Sequence, residues 1–175
     1  TKCSFISLAI VLLLIKDPEA NAIIFRKVKD SIGDSVYEQM LWAIEILGLS
    51  TYFTDTKSPF KIEYLPTGQR ILFRGMDDPQ KIKSIKLKKG YFKLAWFEEL
   101  AEFNGMEEVE SAILSIMRGG KGKKFIYFYS YNPPERMSNW VNAEAALDKP
   151  DRIVVKNSYL DVPREWLGEA FFAEA

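Results

Sequence analysis

Polar side chains follow two apolar segments of this chain at the points where each segment ends. Glu98 and Glu99 come directly after the run LAWF, and Ser130 and Asn132 follow the run IYFY. Two adjacent carboxylates at the tip of a buried strand repel each other and lose hydration unless positive charge lies between them. A divalent cation with oxygen ligands would supply that charge. The pattern therefore indicates a Mg²⁺-type site beside a set of neutral hydrogen-bonding groups.

The composition excludes several other kinds of site. The sequence of 175 residues has one cysteine, Cys3, and no histidine. This excludes a disulfide framework, a Cys/His zinc cluster and any Ser-His or Cys-His catalytic pair within the sequence. Lys+Arg and Asp+Glu are 24 each, so a contact with nucleic acid must come from a local patch. Any catalysis must therefore use carboxylates, lysine, arginine or hydroxyls, with or without a bound metal.

Four apolar residues followed by two acids form the Walker B pattern. Its first acid, here Glu98, helps to hold Mg²⁺, and its second, Glu99, polarises the water that attacks a γ-phosphate. Acids also occur in the first turn of ordinary helices, where they complement the helix dipole. The nucleotide interpretation requires an upstream Gly-rich loop that ends in Lys-Ser/Thr at the start of a helix. A lysine and a hydroxyl residue do stand before an apolar helix, within the stretch Thr1, Lys2, Cys3 and Ser4.

The opening apolar segment, residues 5–15, has three interpretations. Its length and the small-x-small pattern at 20–22 suit an export signal, but four residues, Lys-Asp-Pro-Glu, separate the two. A membrane span would need about 20 apolar residues. We predict a core helix buried on nearly all sides that ends at Asp17 and Pro18, preceded by the surviving end of a phosphate loop.

Helices and strands alternate along the rest of the chain. Periodicity and turn chemistry predict helices at 31–47, 107–117 and 138–147, and strands at 22–28, 60–65, 70–74, 91–97, 124–129 and 152–156. The second and third strands read as a β-hairpin. The strands at 91–97 and 124–129 look buried on both faces, which is typical of parallel sheets. We therefore predict an α/β fold with a mostly parallel sheet in a single domain, whose ligands bind at the carboxyl ends of the strands.

Two lysine-rich segments lie between these elements. Residues 77–90 read either as a solvated helix and loop or as a contact with phosphate or DNA, and residues 118–124 read as a flexible basic loop.

The order of these motifs resembles the large terminase subunits of tailed bacteriophages, particularly the PBSX-like group. The most specific piece is WFEELAEF at 96–103 followed by SYNPP at 130–134, and the resemblance extends from TKCS at the start to SYLD at 158–161. It implies a P-loop three-layer sandwich of the additional-strand, catalytic-glutamate class with a β-hairpin insertion. It also implies that residues 1–175 are one ATPase domain, truncated at its phosphate loop and lacking a C-terminal nuclease domain.

The resemblance implies a role for each motif residue. Lys2 matches the lysine on the β- and γ-phosphates of ATP, Glu98 the acid at Mg²⁺ and Glu99 the catalytic glutamate. Ser130 and Asn132 match the coupling motif, which senses the γ-phosphate. The expected partners are double-stranded viral DNA, the portal protein, the small terminase subunit and further copies in a ring on the prohead. The expected place is the host cytoplasm at the portal vertex, with no membrane contact and no place in the virion.

Two positions depart from the family pattern. Thr1 stands where the phosphate loop has glycine or another small residue. Cys3 stands at the Ser/Thr position that normally ligands Mg²⁺, and a thiol is a poor ligand for so hard a cation. Ser4 would substitute only with a shift in geometry, and we keep it with Glu98 as the candidate metal ligands.

The roles of two arginines remain open, and so do two alternative functions of the chain. Arg26 and Arg118 are candidates for a charge-stabilising arginine finger, acting in cis or across a ring. Arg26 could equally pair with an acid, and Arg118 could be a helix C-terminal cation. A helicase-like P-loop motor would share Lys2, Glu98 and Glu99. In a non-enzymatic α/β binding module, the two acids would only mark a helix start.

Overall fold

The computed structural model describes residues 1–77, 79–117, 119–136, 138–158 and 161. Its helices are α1 (Lys2–Lys16), α2 (Glu38–Ile46), α3 (Pro79–Lys83), α4 (Met106–Ile116) and α5 (Trp140–Ala146). Its strands are β1 (Ala20–Arg26), β2 (Phe53–Lys57), β3 (Phe60–Tyr64), β4 (Gln69–Gly75), β5 (Tyr91–Glu98) and β6 (Ile126–Ser130).

The six strands form one sheet in the order β2-β3-β4-β1-β5-β6. β1 pairs in parallel with both β4 and β5, and β5 pairs in parallel with β6. β3 is antiparallel to β4, which confirms the predicted hairpin, and β2 adds a further antiparallel strand that the sequence did not predict. The carboxyl ends of β1, β5 and β6 therefore lie at one edge of the sheet.

Helices cover both faces of this sheet, which gives three layers. Alternate residues of β1 and β5 point to opposite faces because the side-chain period of a strand is two. Ile24 and Trp96 join a core with α1 and α2. Ile23 and Phe97 join a second core with α4 and the start of α5. The continuous apolar runs in β1 and β5 thus follow from burial between two helical layers.

Helix α1 belongs to the core, but one of its faces is open. Ile6, Ile10 and Leu14 are buried against the sheet and α2, whereas Phe5 is 69% and Leu12 is 53% exposed. The prediction of burial on nearly all sides was wrong for this face, because only one neighbouring layer packs against the helix. Among the residues in these ranges, no helix is both long and apolar enough to cross a membrane.

Two buried amides fix the start of the sheet relative to α1. The Gln69 side chain donates to the backbone carbonyl oxygens of Leu14 at 2.7 Å and Ala20 at 2.6 Å. The Asn21 side chain donates to the carbonyl oxygen of Lys89 at 2.9 Å and accepts from the amide of Arg70 at 2.9 Å. Buried polar groups are costly unless they are hydrogen-bonded, so these bonds hold the end of α1 in one position on the sheet.

Three predicted elements differ from the structure. The helix expected at 31–47 is divided into a 3₁₀ turn (Lys29–Ser31), a π-helical turn (Gly33–Tyr37) and α2. β6 is half-buried because it lies at the edge of the sheet. Residues 152–156 form no strand and leave Ile153 90% exposed, since apolar β-branched residues alone supply no partner strand to pair with.

Candidate active site

The amino end of α1 meets the carboxyl end of β6. The Lys2 ammonium donates to the backbone carbonyl of Tyr131 at 2.6 Å and to Asn132 Oδ1 at 2.7 Å. The Thr1 side chain caps the helix by accepting from the amide of Ser4 at 3.2 Å. The structure thus brings together two segments that are 130 residues apart in the chain.

The parallel pairing of β5 and β6 aligns the other two motifs. Glu98 is the register partner of Ser130 across the two strands. The buried indole of Trp96 donates to the Ser130 hydroxyl at 2.8 Å, which orients this side chain. The carboxyl ends of β5 and β6, where the sequence predicted site residues, therefore lie side by side.

Glu98 is buried and forms an ion pair with Arg26 at the end of β1. The side chains of Arg26 and Glu98 are only 12% and 10% exposed, and the Arg26 Nε also donates to the Ser31 hydroxyl at 3.0 Å. Burial raises the pKa of Glu98, and the Arg26 charge opposes that rise without cancelling it. The neighbouring charges of Glu99 and Glu102 raise the pKa further. The site thus holds a carboxylate that more positive charge would stabilise.

Glu99 directly follows β5 and has a strained backbone conformation. Its φ is 52° and its ψ is 53°, and among the described residues it is the one non-glycine with a positive φ. This left-handed conformation costs about 1–3 kcal/mol and persists only where the surroundings impose it. The buried side chains of Leu100 and Phe103 anchor the next turn in the core. Strain of this kind clusters at active sites, and here it turns Glu99 out of the strand direction.

Cys3 and Ser4 have different surroundings. Cys3 is half-buried, and burial raises the pKa of its thiol, as do the charges of Glu98 and, less strongly, Glu99. The Lys2 charge and the Ser130 side chain oppose this rise in the pKa of Cys3. The Ser4 hydroxyl instead lies 2.7 Å from the Thr1 hydroxyl. The charges of both acids therefore act on the Cys3 thiol, while Ser4 as a metal ligand stays a prediction.

The donor groups fit Mg²⁺ held together with a nucleotide better than a metal held by protein alone. No group of three or more Cys, Asp or Glu side chains in the described part of the chain could hold a metal ion. Mg²⁺ commonly uses one or two carboxylates and completes its coordination with substrate phosphates and water. Glu98 provides one buried carboxylate, Lys2 provides a cation, and the first-turn amides of α1 have no acceptor within the helix.

The two candidate arginines differ in position, and the structure adds two groups that the sequence did not reveal. Arg26 lies within the cluster as the partner of Glu98, whereas Arg118 lies outside the described residues. Trp96 was not identified as a site residue from the sequence, although a buried indole needs an acceptor and could have been suspected of holding a strand-end hydroxyl. The Tyr131 carbonyl was missed too, because backbone acceptors carry no sequence signal.

A family model described as phage terminase large subunit matches residues 1–174 of the chain. The chain belongs to the phage terminase large subunit family. The terminase large subunit of Bacillus phage SPP1 is 39% identical over 178 residues, which cover 99% of this chain and 42% of that protein. The PBSX phage terminase large subunit of Bacillus subtilis strain 168 is 35% identical over 105 residues, covering 59% of this chain and 23% of that protein. This terminase chain spans less than half the length of these two relatives.

Two solved large terminases share the fold. The large terminase of a thermophilic bacteriophage superposes with a TM-score of 0.59 at 16% identity, over 79% of this chain and 32% of that chain. The HK97 bacteriophage large terminase superposes with a TM-score of 0.53 at 12% identity, over 77% and 28%. The predicted three-layer α/β sandwich with a mostly parallel sheet is confirmed by these similarities and by the strand order.

Proposed function

We propose that this terminase chain hydrolyses ATP at the cluster of Lys2, Glu98, Glu99, Ser130 and Asn132, and that hydrolysis drives double-stranded DNA into a prohead. The observation that carries the proposal is the meeting of α1, β5 and β6 at one edge of the sheet, with Lys2 bonded to Asn132 and Glu98 in register with Ser130. Membership of the terminase family supports the packaging role.

Lys2 and the start of α1 would bind the phosphates. The Lys2 ammonium makes two hydrogen bonds, both to uncharged oxygens, and a phosphate oxygen would attract it more strongly than either. The helix dipole and the first-turn amides that Thr1 does not cap favour the same anion. A bound phosphate and Asn132 would therefore compete for the same ammonium.

Glu98 would bind the Mg²⁺ that accompanies the nucleotide, directly or through water. Bound Mg-ATP would supply a cation that offsets the charge developing during phosphoryl transfer. Glu98 forms an ion pair with Arg26, and its carboxylate oxygens can accept a hydrogen bond from metal-bound water or ligate the metal. Arg26 would then act as a positioning residue that keeps the carboxylate in place.

Glu99 would orient the attacking water and accept its proton. Its side chain is only half-buried and its backbone is turned away from the strand, in contrast to Glu98. A carboxylate that keeps contact with solvent can exchange a proton with water, as a general base must. Two adjacent acids would thus perform different tasks because their surroundings differ.

Ser130 and Asn132 would report the state of the nucleotide. Asn132 holds the Lys2 ammonium, and Ser130 is tied to Trp96 in the core. Movement of Lys2 onto phosphate would release Asn132 while Ser130 stays fixed. The segment after β6 could then change position with each hydrolysis cycle, which is what coupling to DNA movement requires.

The whole motor would need further partners. We propose that this chain works with the portal protein, the small terminase subunit and other copies of itself in a ring on the prohead. The place of action would be the host cytoplasm at the portal vertex, since packaging occurs on the empty prohead. Arg118 remains the candidate for an arginine finger between or within subunits, because Arg26 is assigned above to positioning Glu98.

The proposal can be tested by measuring ATP turnover of the full-length protein under three conditions. We expect slow turnover alone, little change with free duplex DNA, and strong stimulation with DNA plus portal-bearing proheads. Equal stimulation by free duplex would favour a helicase-like motor instead. No Mg²⁺-dependent turnover under any of the conditions would favour a binding module and contradict the proposed enzyme.

A further inference from the structure

Two lysine-rich loops lie at the amino ends of the sheet strands, on the opposite side of the sheet from the candidate active site at their carboxyl ends. Residues 84–90 precede β5 and residues 119–125 precede β6, and these two strands are parallel neighbours. Both loops therefore lie at the amino ends of their strands. The length of β5 separates them from Glu98 by about 23 Å, at roughly 3.3 Å per residue.

Direct contacts hold these two loops together. The Tyr91 hydroxyl donates to the backbone carbonyl of Lys124 at 3.3 Å. A Cβ atom at Gly120 would lie 3.1 Å from the Tyr91 ring, so the second loop passes closely over the start of β5. A cavity of about 230 Å³ is lined by Leu87 from the first loop and Gly119 from the second. The fold thus makes one surface from two segments that are separate in the sequence.

In the first loop, apolar residues that point inward alternate with lysines that point outward. Ile85 and Leu87 pack against the core cluster beneath α4, whereas Lys86, Lys88 and Lys89 are exposed. Apolar residues at alternate positions anchor the backbone, and the buried Asn21 amide holds the carbonyl of Lys89. The ammonium groups are therefore displayed from a fixed backbone.

We define the lysine edge as the exposed residues Lys86, Lys88, Lys89, Lys121 and Lys124. Nearby acids are already occupied. Glu19 pairs with Lys123 at 3.0 Å, and Asp17 pairs with Lys93 at 2.7 Å.

Across the described ranges, none of the five lysines of the lysine edge forms an ion pair with an acid. The whole sequence has a formal charge of zero, so this edge is a local concentration of positive charge.

We propose that the lysine edge binds the phosphate backbone of duplex DNA. The proposal rests on the packaging function proposed above, which supplies the identity of the polyanion. Lysine ammoniums bind phosphates as point charges and release counterions, which gives affinity without reading the base sequence. A motor that moves any sequence needs contacts of this kind. The site lies away from the nucleotide cluster, so DNA and ATP can be bound together.

The test compares two triple variants of the full-length protein that lose the same charge. One carries Lys86→Gln, Lys88→Gln and Lys124→Gln; the control carries Lys29→Gln, Lys57→Gln and Lys156→Gln, at exposed lysines elsewhere. Binding of a labelled 30-base-pair duplex is followed by fluorescence anisotropy from about 50 to 300 mM salt. Counterion release contributes a slope of about 0.9 for each phosphate contact in a plot of log K against log salt.

We expect the lysine-edge variant to lose about three units of that slope and on the order of 100-fold in affinity at 0.15 M salt. Its ATP turnover without DNA should match the wild type. Equal duplex affinity in the two variants, with wild-type binding and turnover intact, would overturn the lysine edge and leave the packaging function standing. A wild-type protein that hydrolyses no ATP and binds no duplex would overturn both proposals.

Discussion

Replacement Glu99→Gln is expected to reduce the turnover number for ATP by about 10²–10⁴-fold, the usual contribution of a positioned general base. The amide keeps the size and the hydrogen-bonding reach of the carboxylate but cannot accept a proton from water. The left-handed backbone at φ 52° is set by the turn and its core anchors rather than by the carboxylate, so the fold should be retained. ATP affinity should change less than about threefold. Turnover is measured with full-length protein under prohead-stimulated conditions, and ATP affinity by equilibrium binding.

The matched control for this substitution is Glu102→Gln. Glu102 lies three residues further along, is 50% exposed at its side chain and is only 3.9 Å from Arg26. The Glu102→Gln substitution removes the same charge from the same neighbourhood. It should change turnover less than about threefold, since solvent-screened surface charges contribute little. Equal losses in the two variants would mean that local charge matters and that Glu99 is not the base. Unchanged turnover in Glu99→Gln would contradict its assignment outright.

Replacement Arg26→Ala is expected to lower the free energy of unfolding by about 3–5 kcal/mol, because it leaves the buried Glu98 carboxylate without its partner. The loss should be larger at pH 7.5 than at pH 5. Burial has already raised the pKa of Glu98, and removal of Arg26 would raise it further. The penalty for a carboxyl with a raised folded pKa appears as pH rises above the unfolded value and disappears as the group protonates at lower pH. Urea unfolding at the two pH values measures this difference.

A second substitution separates the pairing role of Arg26 from an arginine-finger role. The double variant Arg26→Ala/Glu98→Gln should recover much of the lost stability at pH 7.5, because no buried charge remains. An arginine finger would behave differently. Arg26→Ala would then lose turnover with the free energy of unfolding changed by less than about 0.5 kcal/mol, and the double variant would recover no turnover. That result would contradict the positioning role of Arg26.

The sequence was most informative where chemistry and periodicity agreed. The apolar runs before Glu98 and Ser130 predicted buried strands, and parallel strands end at the same edge of a sheet. The position of both motifs at one edge therefore followed from the alternation of helices and strands. The order of the motifs also identified the terminase family, which the family model and the SPP1 relative confirm.

Long-range partners could not be predicted from the sequence. Nothing near Arg26 indicates that it would meet Glu98, which is 72 residues away, because that pairing depends on β1 lying beside β5. The left-handed backbone of Glu99 also depends on packing, since glutamate has no intrinsic preference for it. The missing strand at 152–156 has the same cause, because pairing partners are a property of the whole sheet.

The most direct measurement of the proposed nucleotide site is the equilibrium affinity of the full-length protein for a fluorescent ATP analogue with Mg²⁺. Lys2 lies at the junction of α1 and β6, and a hydrogen bond to a charged group contributes about 1.5–3 kcal/mol. Lys2→Ala should therefore weaken binding by about 10- to 100-fold. The control Lys16→Ala removes the same charge at the other end of α1 and should bind like the wild type. Equal affinity of all three proteins would contradict a nucleotide site at the start of α1.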